Sequence, residues 1–146
     1  MSIWWSLHLR REAASVPLAR RLFLGTMETA GVDPDISYDL SVALTEACAN
    51  AVEHGGDPGA GPPSEAYRVT AYLDGEKCRI EVADSGPGFP DRRPPTAALA
   101  MEHGRGLCLI EQLADHVSFG NRPGHGAVVC FDKMLKWRED ALLRTS

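Results

Sequence analysis

Glu46-Ala-Cys-Ala-Asn50-Ala-Val-Glu-His54-Gly55 closes the longest stretch of helical periodicity in the chain. Ile36, Leu40, Ala43, Leu44, Ala47 and Ala51 recur every three or four residues after Asp33-Pro34-Asp35, where an aspartate suits a helix cap. The spacing predicts a helix from about Pro34 to Glu53, stopped by His54-Gly55-Gly56. Residues four apart on a helix share a face, so Glu46 and Asn50 project side by side about one turn apart. A carboxylate and a carboxamide so placed can reach one phosphate group, and they suit equally a polar stripe facing water.

Upstream, Trp5, Leu7 and Leu9 alternate with Ser6, His8 and Arg10, which predicts an edge or opening strand over Trp4 to Arg11. Ser15-Val16-Pro17 reads as a helix start with Ser15 as cap, giving a first helix from Pro17 to Ala30 that ends at Gly31. Downstream, Gly55 to Pro63 has the composition of an exposed loop. Tyr67 to Leu73 and Lys77 to Ala83 then form two alternating strands around Asp74-Gly75, with Val69, Ala71, Leu73, Ile80 and Val82 on one face. A Pro- and Gly-punctuated segment runs from Asp84 to His103, followed by a short helix over Leu107 to Asp115. Val117 to Phe119 and Ala127 to Phe131 make two last strands, and Lys133 to Ser146 reads either as a helix or as a frayed tail. The fold class expected from this order is α+β: a two-layer sandwich, with one mixed, mostly antiparallel sheet covered on one face by three helices.

A length of 146 residues with 44% hydrophobic content supports one core and therefore a single domain over residues 1–146. Fifteen Lys plus Arg against twenty Asp plus Glu give a net charge of −5, and no basic run could track a phosphate backbone, so direct nucleic-acid binding is not expected. No apolar run approaches the ~18 residues of a membrane span and no leader pattern opens the chain, so the expected location is the cytoplasm, with no membrane partner. Cys48, Cys78, Cys108 and Cys130 stand about one per element with no Cys-x-x-Cys pair. They read as small buried thiols, with an adventitious disulfide as the other option.

Two further pieces ask for the same ligand as the helix. Asp84-Ser-Gly86-Pro-Gly88 ends a strand in a turn whose missing side chains let a planar ring approach, and a carboxylate accepting from an exocyclic amine would select adenine. An ordinary strand-to-loop turn has the same composition. Gly104-Arg105-Gly106 immediately precedes the short helix, where free N–H groups and the helix dipole favour anionic oxygens, or where glycines merely satisfy backbone geometry. No Gly-Lys-Ser/Thr follows, so this is not a Walker motif. With a metal-bound triphosphate, Asn50 would be the direct magnesium ligand, Glu46 would hold a metal water or accept a hydroxyl proton, and Arg105 would meet the terminal phosphate as charge develops.

In this order the three pieces resemble the N, G1 and G2 boxes of the GHKL (Bergerat) ATP-binding superfamily, which includes gyrase B, MutL and the histidine kinase catalytic domain. Glu-Ala-x-x-Asn-Ala-x-x-His-Gly with a helix opening Gly104-Arg-Gly-Leu107 is similar to the anti-sigma-factor serine/threonine kinases of Gram-positive bacteria, actinobacterial ones included, over roughly Leu7 to Phe131. The resemblance implies ATP and Mg2+ as cofactors and Glu46 as the base, with Arg105 as a second catalytic residue and Asn50 on magnesium. It places Asp84 on adenine, Gly86 and Gly88 around its pocket, and Gly104, Arg105, Gly106 and Leu107 closing on the phosphates. It also implies a sigma factor and an anti-anti-sigma antagonist as partners, and association as a homodimer. Two features depart from the pattern. Ala127-Val128 stands where many relatives carry hydroxyls, and the segment from Phe89 to His103 is Pro-rich, with Arg92 and Arg93 in it. The alternative is therefore a catalytically weak, nucleotide-binding adaptor that reports ATP or ADP state to a partner. A histidine kinase fragment is disfavoured because no dimerisation helix with a phospho-accepting histidine is read ahead of the domain, and a gyrase- or MutL-like ATPase because no transducer domain follows.

Overall fold

The computed structural model describes residues 2–54, 65–84, 106–122 and 126–139. Five strands, β1 (Ile3–Arg10), β2 (Ala66–Leu73), β3 (Lys77–Asp84), β4 (His116–Arg122) and β5 (Gly126–Met134), form one sheet in the order β1-β2-β3-β5-β4. Three described helices, α1 (Ser15–Ala30), α2 (Pro34–His54) and α3 (Gly106–Leu113), complete the α+β fold that the periodicity predicts. Every pairing among these strands is antiparallel, so the mixed sheet expected from the element order is not what forms. After β3 the chain passes through α3, lays β4 at the sheet edge and turns back so that β5 pairs with β3. The two strands parallel to β3, β1 and β4, are thus not its neighbours.

Alternation decides which face is covered. In β2 and β3, Tyr67, Val69, Ala71, Leu73, Cys78, Ile80 and Val82 are buried, and their neighbours along the strands are half-buried or exposed except Ala83, which is buried as well. Apart from Ala71, the set just named joins Phe23 and Met27 of α1, Leu40, Leu44, Ala47 and Cys48 of α2, and Ile110 of α3 in a continuous core. Small residues on α2 keep it close to the sheet: Ala43, Ala47 and Ala51 are all buried. β1 is the edge strand expected, and its Trp5 Nε1 donates to Thr26 Oγ1 of α1 at 3.1 Å. No helix among the described residues is long and apolar enough to cross a membrane.

Several boundaries shift for identifiable reasons. Gly31 ends α1 with φ 87°, a left-handed conformation that glycine adopts without a Cβ clash, as expected at that position. Ser15, expected as the α1 cap, lies inside the helix: its Oγ donates to Glu12 O at 2.7 Å and meets Tyr67 Oη at 2.6 Å. At α2 the aspartate does cap, Asp33 Oδ1 accepting from Asp35 N at 2.9 Å. α3 stops at Leu113 rather than Asp115, because Asp115 turns to β5, where its Oδ2 accepts from Met134 N at 2.6 Å. The start of the tail is neither helix nor frayed. Lys133 and Met134 finish β5, then Asp33 N donates to Lys136 O, Trp137 bridges Val32, and Trp137 Nε1 donates to Gly75 O at 3.1 Å. Residues 140–146 lie outside the described residues.

Candidate functional site

α2 carries the first two candidate residues, and one side of it is sealed. Cys48, between Glu46 and Asn50 in sequence, is buried, and its thiol is hydrogen-bonded to Tyr67. Because Ser15 Oγ spends its proton on Glu12 O, the phenol of Tyr67 donates to Ser15, and the Cys48 thiol meets the same phenol. Burial pushes the Cys48 thiol up to about 12 and the Tyr67 phenol well above its ordinary value. This chain of three side chains ties α2 to β2 and α1, and so fixes which side of α2 turns away from the sheet.

Glu46 and Asn50 are half-buried, four residues apart on α2. Asn50 Nδ2 is buried and has no hydrogen-bond partner among the described residues. A buried amide without a partner costs about 1–3 kcal/mol. A metal-bound phosphate fits it: one end of the amide donates to a phosphate oxygen or, turned about, the carbonyl end ligates the cation. Among the described residues no group of three His, Cys, Asp or Glu side chains gathers as a cation cage. A magnesium ion held by one amide oxygen, phosphate oxygens and water does not require one.

Asp84 is the last residue of β3, and its Oδ1 accepts from Ala127 N at 3.1 Å. The position that departs from the family pattern thus meets Asp84 through its backbone rather than through a side-chain hydroxyl. Past Asp84 the chain leaves the described residues and re-enters them at Gly106, the first residue of α3, which packs against α2 as β3 does. Gly106 and Leu107 form the first turn of α3, the end at which N–H groups lack helical acceptors. The structure therefore brings together three elements bearing Glu46, Asn50, Asp84, Gly106 and Leu107. Gly86, Gly88, Arg92, Arg93, Gly104 and Arg105 lie outside the described residues.

One participant was not singled out from sequence. Arg11, half-buried just after β1, donates through Nε to Ala51 O at 3.0 Å and through Nη2 to Val52 O at 2.6 Å, at the end of α2. The only signal was an arginine pair closing a strand. All four cysteines are free thiols, Cys48 and Cys78 buried and Cys108 and Cys130 half-buried, so the smaller option of a disulfide is not realised.

A profile of the histidine kinase-like ATPase domain matches residues 9–133. The chain belongs to this family. Within the family it is 35% identical over 131 residues to the serine-protein kinase RsbW of Bacillus pumilus, a match covering 82% of this chain and 78% of the relative. It is 28% identical over 114 residues to an anti-sigma F factor of Thermoanaerobacter pseudethanolicus, covering 73% and 77%. Among solved structures, the RsbU and RsbW domains of a Mycobacterium tuberculosis protein align at TM-score 0.65 and 20% identity, over 90% of this chain and 33% of that longer one. The SiaB-SiaC complex from Pseudomonas aeruginosa aligns at TM-score 0.58 and 13% identity over 89% of both chains. The two structural likenesses show the shared fold, and the sequence relatives show that this family member is an ATP-binding domain of the GHKL type and of RsbW kind.

Proposed function

We propose that this chain is an ATP-dependent serine/threonine protein kinase that acts as an anti-sigma factor, holding a sigma factor and phosphorylating an anti-anti-sigma antagonist, in the cytoplasm and as a homodimer. The observation that carries the reading is the pair on α2: Glu46 one turn before Asn50, whose buried Nδ2 lacks a described partner, in a chain 35% identical to a serine-protein kinase.

The residues divide the work by position. Asn50 holds Mg2+, which when bound offsets the negative charge of the triphosphate. Asp84 accepts from the exocyclic amine of adenine, with Gly86 and Gly88 shaping the pocket. The first N–H groups of α3, at Gly106 and Leu107, face phosphate oxygens with the positive end of the helix dipole behind them. Gly104 and Arg105 complete that cradle, Arg105 by a charge-assisted contact to the phosphoryl group in transfer. Glu46 accepts the proton of the incoming serine or threonine hydroxyl and orients it toward the phosphorus.

The adaptor reading keeps one specific support, the absence of a hydroxyl at Ala127. Incubation with γ-labelled ATP, magnesium and the candidate antagonist separates the two. A kinase labels the antagonist, and Glu46→Ala retains ATP while transfer falls by about 10²–10⁴-fold. Retained nucleotide with an unlabelled antagonist identifies an adaptor, and transfer undiminished in Glu46→Ala removes Glu46 as the base.

A further inference from the structure

Toward the end of a helix the carbonyls run out of donors within it, and the last described carbonyls of α2 are those of Ala51 to His54. Two of them are taken by a single side chain from the far end of β1. The Arg11 guanidinium forks across Ala51 O at 3.0 Å and Val52 O at 2.6 Å, a geometry that a lysine ammonium on its single carbon stem does not reproduce. The positive group also stands at the negative end of the helix dipole. The backbone of the same residue is pinned, Arg11 N donating to Glu65 O at 2.6 Å just ahead of β2. Arg11 therefore joins the end of β1, the start of β2 and the last turn of α2.

Asn50 immediately precedes the gripped carbonyls. Its own amide takes no aim from Nδ2, which has no partner among the described residues. The direction of Asn50 is set instead by the backbone of the turn that carries it, and Arg11 holds that turn. Glu46 lies one turn further back and does not depend on the grip in the same way.

We propose that Arg11 is a positioning residue for metal-bound nucleotide: by clamping the carbonyls of Ala51 and Val52 it presents Asn50 to the magnesium ion of ATP. The proposal rests on the reading of Asn50 as the metal ligand. Removing an outer partner that orients a metal ligand costs about 10–100-fold in affinity for the metal. A clamp that acts through Asn50 has an effect only when both Asn50 and magnesium are present, whereas a merely structural arginine weakens every form of binding alike.

The experiment is calorimetric titration of ATP, once with magnesium and once in EDTA, into the wild type, Arg11→Ala, Arg11→Lys, Asn50→Ala and the Arg11→Ala/Asn50→Ala double variant. Arg11→Ala is expected to weaken binding in magnesium about tenfold and to leave binding in EDTA within about twofold. Arg11→Lys recovers part of the loss, and the double variant binds no more weakly than Asn50→Ala alone. Equal losses in magnesium and EDTA, or losses that add in the double variant, overturn the proposal. Undiminished magnesium dependence in Asn50→Ala overturns the metal assignment and the proposal together, while dependence lost in Asn50→Ala and intact in Arg11→Ala overturns the proposal alone. If Arg11→Ala does not fold, Arg11→Gln, which keeps one donor, is read on the same titrations.

Discussion

Cys48 and Asn50 stand two residues apart on α2 and are treated in opposite ways. The thiol meets Tyr67, whose phenol bonds to Ser15, which in turn bonds to the Glu12 carbonyl. The amide has a buried Nδ2 with no partner among the described residues. Both environments are desolvated enough that an unmatched polar group is expensive, so the difference is not one of exposure. The same helix closes its hydrogen bonds where it meets the sheet and leaves one open at Asn50, where the proposed function puts the metal-bound nucleotide. On the proposed function, stability is concentrated on one side of α2 and nucleotide binding on the other.

Replacing Asn50 by leucine is the strongest way to break this contrast, since it exchanges the amide for an apolar group of similar size. Affinity for ATP in magnesium should fall by about 100-fold, roughly 2.7 kcal/mol. The unfolding free energy without nucleotide should hold or rise by about 1 kcal/mol, because an unmatched donor has been removed. Urea unfolding beside nucleotide titration checks both halves. A loss of stability together with unchanged affinity would show that the amide serves the fold.

Tyr67→Phe cuts the opposite side. It deprives Cys48 of its polar neighbour and Ser15 of its donor within a core that water does not reach. A cost of about 2 kcal/mol follows for the fold, while the affinity for ATP below the melting range stays near that of the wild type. If affinity fell in proportion to stability, the two sides of α2 would be one unit rather than two.

What could be read in advance follows how local the cause is. The β2–β3 hairpin and α2 rest on alternation, on three-to-four spacing and on Asp74, whose Oδ1 takes Glu76 N and Lys77 N within a few residues. Those patterns are visible along the chain, and so is the Glu46–Asn50 pair. Ser15 misleads because its partner is Tyr67, 52 residues away, and Trp137 because its indole answers to Gly75, 62 residues away. No local pattern reports such partners. Asp84 shows the same limit at the site: a carboxylate ending a strand is legible, but the backbone N–H of Ala127 that it receives is decided by the β3–β5 pairing. Arg11 was overlooked for a related reason, since it acts on carbonyls rather than on side chains.

Alkaline pH tests the sealed core. Burial pushes the thiols of Cys48 and Cys78 from 9.0 up to about 12, with the charges of Asp132 and Asp74 adding at Cys78. Both groups are neutral in the fold, and the unfolded chain releases their protons first. Stability is therefore fully present below pH 9 and declines between pH 9 and about 12. The slope is at most about 1.4 kcal/mol per pH unit for each thiol. Cys78→Ala should remove one share of that slope in urea midpoints taken from pH 8 to 10, and a flat profile in the wild type would mean that water reaches these thiols.

The smallest effect sharpens the comparison by changing burial alone. Ser6 Oγ and Thr70 Oγ1 pair at 3.2 Å across β1 and β2, hydroxyl to hydroxyl as at Ser15 and Tyr67 but with both residues half-buried. Water can take over either hydroxyl when the other is removed, so Ser6→Ala forfeits only the small net value of the bond, about 0.5 kcal/mol in urea unfolding. Set against the roughly fourfold larger cost expected for Tyr67→Phe, that value assigns the difference to solvent access, because the chemical groups are alike. Equal costs at the two places would instead mean that the hydroxyls around Tyr67 are hydrated in the fold, and the amide of Asn50 would then lose its claim to be exceptional.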